Sequence, residues 1–455
     1  MDQRPLKVMI VGAGLGGLML GLLLERIGVE YDIYERSSTL KPYGAAMGFG
    51  PNIMPVFEQL GLLQDIFKVS YRALSMDVYR EDLTLLGSMD IGGHSESIGY
   101  DAIVFSRPDL HRLLLSRIPA KKIHLGKRVL TVGQSEHGTL IRCADGSSYE
   151  GDIIVGADGA YSAVRQGLYD RLQKENKLPR CDTESLSLGY TCLVGTTLPL
   201  DPEKYPVLKD DFSHFAIIIA DGKPHSCTVL TVPGNRICFG VVIQLTSEEK
   251  ESSFRNSEWG PESVDTIINM VGDYKLPFGG TLGDIIRSTP KGMVSNVYLE
   301  EKLFETWTHG RIALIGDGAV NAMQDAVILA NCIYELVSTS HSDIVAALRD
   351  FKKQRYPHAK LQVDNSAMTG KLLYGQTWME KFARKLVFNW MPGWLEKSTL
   401  TKAAAYQPQV TFIPFVPKKG TINVKPQKPS KKFLEEQRLN KERERRSGTS
   451  EMREV

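Results

Sequence analysis

The feature that most limits the fold of this 455-residue chain sits at its start. Lys7–Val11 (KVMIV) is an unbroken apolar run, the pattern of a parallel strand buried on both faces. It leads straight into Gly12-x-Gly14-x-x-Gly17. Leu15–Ile27 then has helical spacing, marked by Leu18, Leu22 and Ile27. Glu30–Tyr34 (EYDIY) alternates and reads as a second strand. Strand, glycine turn, helix and strand within about 30 residues make one β-α-β unit. Gly12 permits the tight turn, Gly14 lets backbone approach a pyrophosphate, and Gly17 lets the helix pack closely on the strand. The helix N-terminus offers free N–H groups and a positive dipole end to an anion. Glu35 closes the second strand, where a carboxylate about 20 residues past the fingerprint binds ribose hydroxyls and disfavours a 2′-phosphate. The expectation is a dinucleotide cofactor.

Past this unit the pattern stays α/β towards both ends and changes in the middle. Ser106–Ile118 is helical. Lys127–Tyr149 reads as strands turning at His137–Gly138 and Asp145–Gly146, and Asp152–Val155 as another buried strand. Tyr71–Glu96 alternates with frequent breaks. From Leu186 to Leu245 strand signals repeat with few helix signals: Tyr190–Thr197, Phe215–Ala220, Cys227–Val232 and Arg236–Ile243. Arg311–Ile315 returns to buried-strand character. Asn321–Val337 is a helix with Ala326, Leu329, Ala330, Ile333 and Val337 on one face, and Ile344–Tyr356 continues helical.

Composition excludes several classes. Lys+Arg is 55 against Asp+Glu 53, a net charge of +2, which argues against a nucleic-acid binder. The balance is uneven, since residues 418–455 hold 12 basic and 6 acidic side chains. The six cysteines are scattered without metal-ligand spacing, so free thiols in a reducing compartment are expected and no metal site. No run reaches the ~18 apolar residues of a membrane span. Thr377–Leu395 carries Trp378, Met379, Phe382, Leu386 and further apolar residues among Lys381, Arg384 and Lys385. It reads as an interfacial amphipathic helix or, by default, as a helix docked on its own domain. The expected location is cytoplasmic, with a peripheral contact to an intracellular membrane left open, as is the oligomeric state.

The rest of the chain decides which dinucleotide. The stretch IIVGADGAYSAVR, with Asp158, Gly159, Ser162 and Arg165, matches a D-G motif at the end of a strand. With it come FSRPDLHRLLL around Arg107, the glycine-rich PYGAAMGFG with Gly44 and Gly48, and RIALIGDGAVNAMQDA. From about Lys7 to about Gly420 the chain resembles the FAD-dependent aromatic-hydroxylase superfamily of flavoprotein monooxygenases. Within it, the likeness is greatest to fungal FAD-dependent monooxygenases that epoxidise terpenoid chains in meroterpenoid and indole-diterpene pathways. PLDPEKYP and YQPQVTFIPFV are similar to that subgroup in particular.

The resemblance implies an α/β fold: a Rossmann-like FAD-binding domain, an inserted mainly antiparallel β-sheet substrate domain and a helical C-terminal region. The boundaries expected are 1–75, 97–170 and 305–345 for the FAD-binding domain, with 76–96 and 171–304 for the substrate domain. A helical region would follow over 346–416, then a basic, disordered tail over 417–455. It implies cofactor contacts from Gly12, Gly14, Gly17, Glu35, Arg36, Gly48, Arg107, Asp158, Gly159, Asp317, Gly318 and Ala319. His225 stands where related epoxidases tend to have an active-site tyrosine, and is the catalytic candidate; Tyr190 is a second candidate for the substrate sheet. The implied reaction takes NADPH or NADH and O2 and oxygenates a lipophilic, terpenoid-type molecule through a flavin hydroperoxide. Epoxidation is the first expectation and aromatic hydroxylation the alternative. One departure stands out. The family loop of about a dozen residues between the G-D pair and the following helix is absent, leaving a direct strand-to-helix turn. A mis-predicted splice junction explains this while the flanks still fit a working site; a genuine deletion, leaving a degenerate FAD-binding protein, is the other explanation.

Overall fold

The computed structural model describes residues 5–40, 44, 46–92, 95–184, 188–220, 222–223, 225–245, 262–300, 302–316, 318–375, 377–390, 398, 401–402 and 404–451. Its centre is a six-stranded sheet in the order Thr308–His309, Ile312–Leu314, Ile153–Gly156, Lys7–Val11, Glu30–Tyr34, Ile123–His124. All neighbours are parallel except the first pair. The apolar run at the N-terminus is therefore central and buried on both faces. Val8 and Ile10 face the helices Leu15–Arg26 and Ala319–Tyr334. Met9 and Val11 face the helix Ala163–Lys174 and a three-stranded meander, Val129–Gln134, Thr139–Cys143 and Ser148–Gly151. Strand alternation assigns the two sets to opposite sides.

The middle of the chain forms a seven-stranded sheet in the order Val294–Glu300, Leu188–Thr196, Arg236–Gln244, His225–Val232, Phe215–Ile219, Ser75–Arg80, Leu85–Asp90. Every neighbour pair is antiparallel except Phe215–Ile219 with Ser75–Arg80. One face is covered by the helices Glu262–Val271 and Leu282–Arg287, through Leu193, Cys227, Val229 and Phe239. The other face meets a four-stranded sheet of Phe212–Ser213, Ser70–Ala73, Ile103–Ser106 and Ala46–Phe49, through Leu230, Val232 and Cys238. The fold is a Rossmann-like α/β frame carrying a mainly antiparallel sheet, followed by helices.

Two helices depart from their sequence patterns. The helix expected to reach Val337 ends at Tyr334, and Val337 is 94% exposed. The next helix runs from His341 to Tyr374, straight through Pro357, because its N-cap Ser340 and its packing on the previous helix outweigh the local break. Inside this pair lies Arg355, 0% exposed. Its Nε donates to Asp325 Oδ1 at 2.6 Å and its Nη2 to Asn321 Oδ1 at 3.0 Å. Asp325 Oδ2 accepts the Gly316 N–H at 2.8 Å, so the ion pair ties the strand-to-helix turn to the long helix. Burial alone would pull the Arg355 guanidinium down, and Asp325 beside it more than restores it.

The tail corrects its expected disorder. Lys419 Nζ lies 2.8 and 2.6 Å from the Glu58 carboxylate oxygens, and Ile422 packs with Ile98 and Ala404. Ser430 then accepts the Phe433 N–H, starting the helix Lys431–Glu451, and Tyr334 Oη donates to Glu436 at 2.5 Å. Composition shows little apolar content here, but the segment needs only single anchors against a surface already folded.

Arg355→Met is expected to lower the unfolding free energy by about 3–5 kcal/mol, because it strands the buried Asp325 carboxylate. Asp325→Asn/Arg355→Met should recover a good part of that loss in urea titrations. A double variant no more stable than the single one would contradict this account.

Candidate cofactor site

Three glycines of the N-terminal turn meet different demands. A Cβ on Gly12 would lie 2.4 Å from the Ala157 carbonyl oxygen, and its φ of +107° is closed to ordinary residues. A Cβ on Gly17 would lie 2.1 Å from Gly12 O. Both are required by the fold itself, since Gly12 presses the turn onto the D-G motif and Gly17 seats the helix. Gly14 is different. Its φ of −73° suits any residue, and a Cβ there would meet nothing nearer than Ala157 O at 4.0 Å. Gly14 faces a cavity of about 500 Å3, so whatever requires its bareness comes from outside the chain.

That cavity is lined by Ala13, Gly14, Glu35, Arg36, Arg107 and His111 among others. Glu35 ends its strand with Oε2 accepting the Ala13 N–H and Oε1 the Ser37 N–H, both at 2.9 Å. Each carboxylate oxygen keeps a second lone pair for a hydroxyl. Arg107 opens the helix Arg107–Leu115, and its stem lies against Gly44, whose φ is +118° and where a Cβ would meet Arg107 Cδ at 2.8 Å. Burial pulls the Arg107 guanidinium down from its usual value, although arginine stays charged. A desolvated cation beside a helix N-terminus and bare backbone fits a diphosphate. His111 escaped the sequence reading. It sits one turn after Arg107, on the same helix side, and its Nε2–H donates to Ala13 O at 2.8 Å. Burial pulls its pKa down, so a neutral ring braces the glycine turn. The only hint in sequence was the four-residue spacing.

The D-G motif lies on the other side of Gly12. Asp158 Oδ2 accepts the Ala163 N–H at 2.7 Å at the start of the helix Ala163–Lys174. Its Oδ1 is buried without a hydrogen-bond partner among the described residues, and burial pushes the carboxyl up. An orphaned buried acceptor fits a ligand hydroxyl donor. Gly159, at φ +79°, lines a second cavity of about 270 Å3 together with Ser162, Arg165, Gly316, Gly318 and Asp325. The structure thus brings the D-G motif and the end of the third motif to one cavity. Gly318 caps the helix that begins at Ala319. Gly48 is exposed on the strand Ala46–Phe49. Asp317 lies outside the described residues.

Strand parity places His225 on the helix-covered face of the large sheet. Its side chain shares the face of Cys227 and Val229, which is covered by helices and turned away from the FAD-binding frame. There His225 Nε2 is hydrogen-bonded to Tyr274 Oη at 2.7 Å, and burial pulls its pKa down. It lines neither cavity. Tyr190 falls on the opposite face, in the row parity of Thr196, whose Oγ1 donates to Gly44 O at 3.2 Å. That frame-facing side holds Val194, Thr228, Ile217 and Val78 in one row, with Cys192 and Cys238 beside them. Burial pushes both thiols up to about 12, so this wall carries no thiolate.

Gly12→Ala and Gly14→Ala should separate folding from binding. The first is expected to cost about 2–4 kcal/mol of stability through its clash and strained φ. The second should unfold like wild type yet bind FAD roughly tenfold more weakly, read by flavin fluorescence titration. Equal FAD affinity for Gly14→Ala and wild type would remove the diphosphate from this cavity.

Residues 5–185 match the family model described as an FAD binding domain. The chain is 28% identical to the FAD-dependent monooxygenase dpasE of Apiospora sacchari, covering 82% of this chain and 80% of that one. It is 27% identical to the FAD-dependent monooxygenase ausM of Penicillium brasilianum, over 92% of this chain and 90% of the relative. Among solved structures, Klebsiella pneumoniae HpxO in complex with FAD and uric acid superposes with a TM-score of 0.71. It shares 21% identity and covers 89% of this chain and 97% of that one, which is a likeness of fold. Residues 5–185 therefore match an FAD binding domain, and the chain as a whole is similar to FAD-dependent monooxygenases.

Proposed function

We propose that this monooxygenase inserts one oxygen atom of O2 into a lipophilic, terpenoid-type substrate, by epoxidation of an alkene, with NADPH or NADH as reductant. The observation that carries the reading is the frame-facing side of the seven-stranded sheet. Its central row is uncharged and largely apolar, with Val194 and Thr228 half-buried and Ile217 and Val78 covered by Leu373, a lining that suits a prenyl chain. The names of the relatives, each an FAD-dependent monooxygenase, agree with the oxygenase class.

When bound, FAD supplies the oxygen chemistry, and the chain supplies binding, orientation and dryness. Gly12, Gly14 and Gly17 with the helix N-terminus would hold the diphosphate, with Arg107 as its cation. Glu35 and Arg36 would hold the adenosine end. Gly159 and Gly318 line the cavity where the D-G and third motifs converge; beside them Asp158 and Ala319 would complete the cofactor contacts, with the orphaned Asp158 Oδ1 accepting a hydroxyl. Gly48 and Gly44 would let the backbone come close to the ring without a side chain between. No side-chain nucleophile is needed, so a neutral His225 on the far face is consistent with this chemistry.

The direct turn from Leu314 to Ala319 favours one second reading, a chain that binds FAD but does not turn over. Purified protein saturated with FAD decides between them. Substrate-dependent NADPH or NADH oxidation with prenylated compounds, and a product heavier by one oxygen from O2, is the expected result. An epoxide or its diol supports epoxidation, and a phenol would support ring hydroxylation instead. Flavin binding without any substrate-stimulated oxidation of either nucleotide would overturn the catalytic reading. Thr228→Lys, which puts a charge on the apolar wall, is expected to lower kcat/KM at least roughly tenfold while leaving flavin content unchanged.

A further inference from the structure

The helix Trp378–Trp390 leaves its apolar side uncovered. Trp378, Met379, Phe382 and Leu386 are 76%, 61%, 63% and 51% exposed. At about 100° per residue they fall on one side of the helix. Large apolar side chains clustered this way are rare on a surface meant only for water.

Polar contacts pin the inner side of this helix. On its inner side Arg384, 8% exposed, donates from Nε to Leu372 O at 2.8 Å and from Nη2 to Gly375 O at 2.5 Å. These bonds close the last carbonyls of the preceding helix and fix the angle between the two. At the N-terminus, Thr377 accepts the Glu380 N–H and Glu380 accepts the Thr377 N–H, a reciprocal cap. The helix also lies against the edge strand Leu85–Asp90 of the large sheet. The apolar side therefore points outward because the inner side is pinned.

Outside its cap, the charged residues of the helix have one sign. The Glu380 carboxylate is engaged in the cap, and the other charged residues of the helix are Lys381, Arg384 and Lys385. Lys385 is exposed beside the apolar strip, and Lys371 is exposed in the last turn of the preceding helix. The patch also adjoins the apolar wall. Leu373, five residues before Trp378, packs on Val78, Ile217 and Ile219 of the frame-facing row.

We propose that this helix face docks the protein on a bilayer surface that contains anionic lipids. Trp378, Met379, Phe382 and Leu386 enter the boundary between headgroups and acyl chains, and Lys381 and Lys385 meet the lipid phosphates. This is contact from one side, since no helix among the described residues is long and apolar enough to cross a membrane. A second copy of the chain is a poorer occupant, because a two-fold contact would set the lysine rims against each other. The continuity with Leu373 places the docked face next to the wall proposed for a lipophilic substrate. The docking itself does not rest on that reading, and vesicle binding needs no turnover.

The test is co-sedimentation of the full-length, FAD-loaded protein with phosphatidylcholine vesicles, with and without phosphatidylserine. Wild type is expected to bind the mixed vesicles, and high salt to weaken it. Trp378→Ser/Phe382→Ser should lower the partition coefficient at least roughly tenfold, with flavin content as wild type. Lys381→Gln/Lys385→Gln should lose roughly tenfold on the mixed vesicles and little on pure phosphatidylcholine. Wild type staying in the supernatant with both vesicles would overturn the proposal, as would apolar-face variants that bind like wild type. So would a dimer in light scattering that those variants separate, because the face would then belong to a second copy. Loss of monooxygenation with vesicle binding intact would bear on the substrate reading alone.

Discussion

The architecture rests on three places where no side chain fits. Gly12, Gly16 and Gly17 let the strand Lys7–Val11, its own helix and the helix Ala319–Tyr334 stack closer than any Cβ allows. A Cβ on Gly16 would reach Ala322 Cβ at 2.7 Å and Ile315 Cδ1 at 2.9 Å. Residues more than three hundred positions apart are thereby in direct packing contact. The short turn after Ile312–Leu314 is held by the same stack, since its helix has one seat. Alanine at Gly12 or Gly17 would strain the junction of the first strand, its helix and the D-G motif.

Around that stack the frame is tied by polar contacts of very different cost. Arg355 and Asp325 are fully buried, so their pairing is close to neutral in total and severe when half removed. The stretch 407–411, a strap over the frame, works with neutral groups instead. Gln59 and Val410 exchange two hydrogen bonds, and Asn331 both donates to Gln409 O and accepts the Thr411 N–H. Each such bond contributes about 1 kcal/mol, yet together they fix the strap across two helices of the FAD-binding frame. The tail owes its order to those helices, which explains why its own composition forecast none.

The large sheet divides the chemistry. Its helix-covered face is a conventional core, where His225 and Tyr274 satisfy one another. Its frame-facing side has an uncharged central row, ends in Arg236 paired with Asp109, and meets Gly44 through Thr196. On the reading proposed above, a cofactor cradle on one side of that junction and an apolar wall on the other would shield a reactive group from water. The edge strand Leu85–Asp90 of the same sheet carries the helix whose apolar side is bare.

Much of this was legible in order of residues. The fingerprint, the buried strands and the sheet-rich middle were set by apolar period and by glycines at fixed offsets, and the strands there begin and end within two residues of their patterns. The strand Val294–Glu300 was not, because half-exposed edge strands carry weak alternation. His225 shows the limit most clearly. Alternation states that His225, Cys227 and Val229 share a face, but not which face meets the cofactor. That choice depends on what packs against the sheet, and so do the partnership of His111 with Ala13, the burial of Arg355 and the order of the tail. Local pattern determined the elements and the cofactor cradle; contacts between distant segments decided which side chains face it.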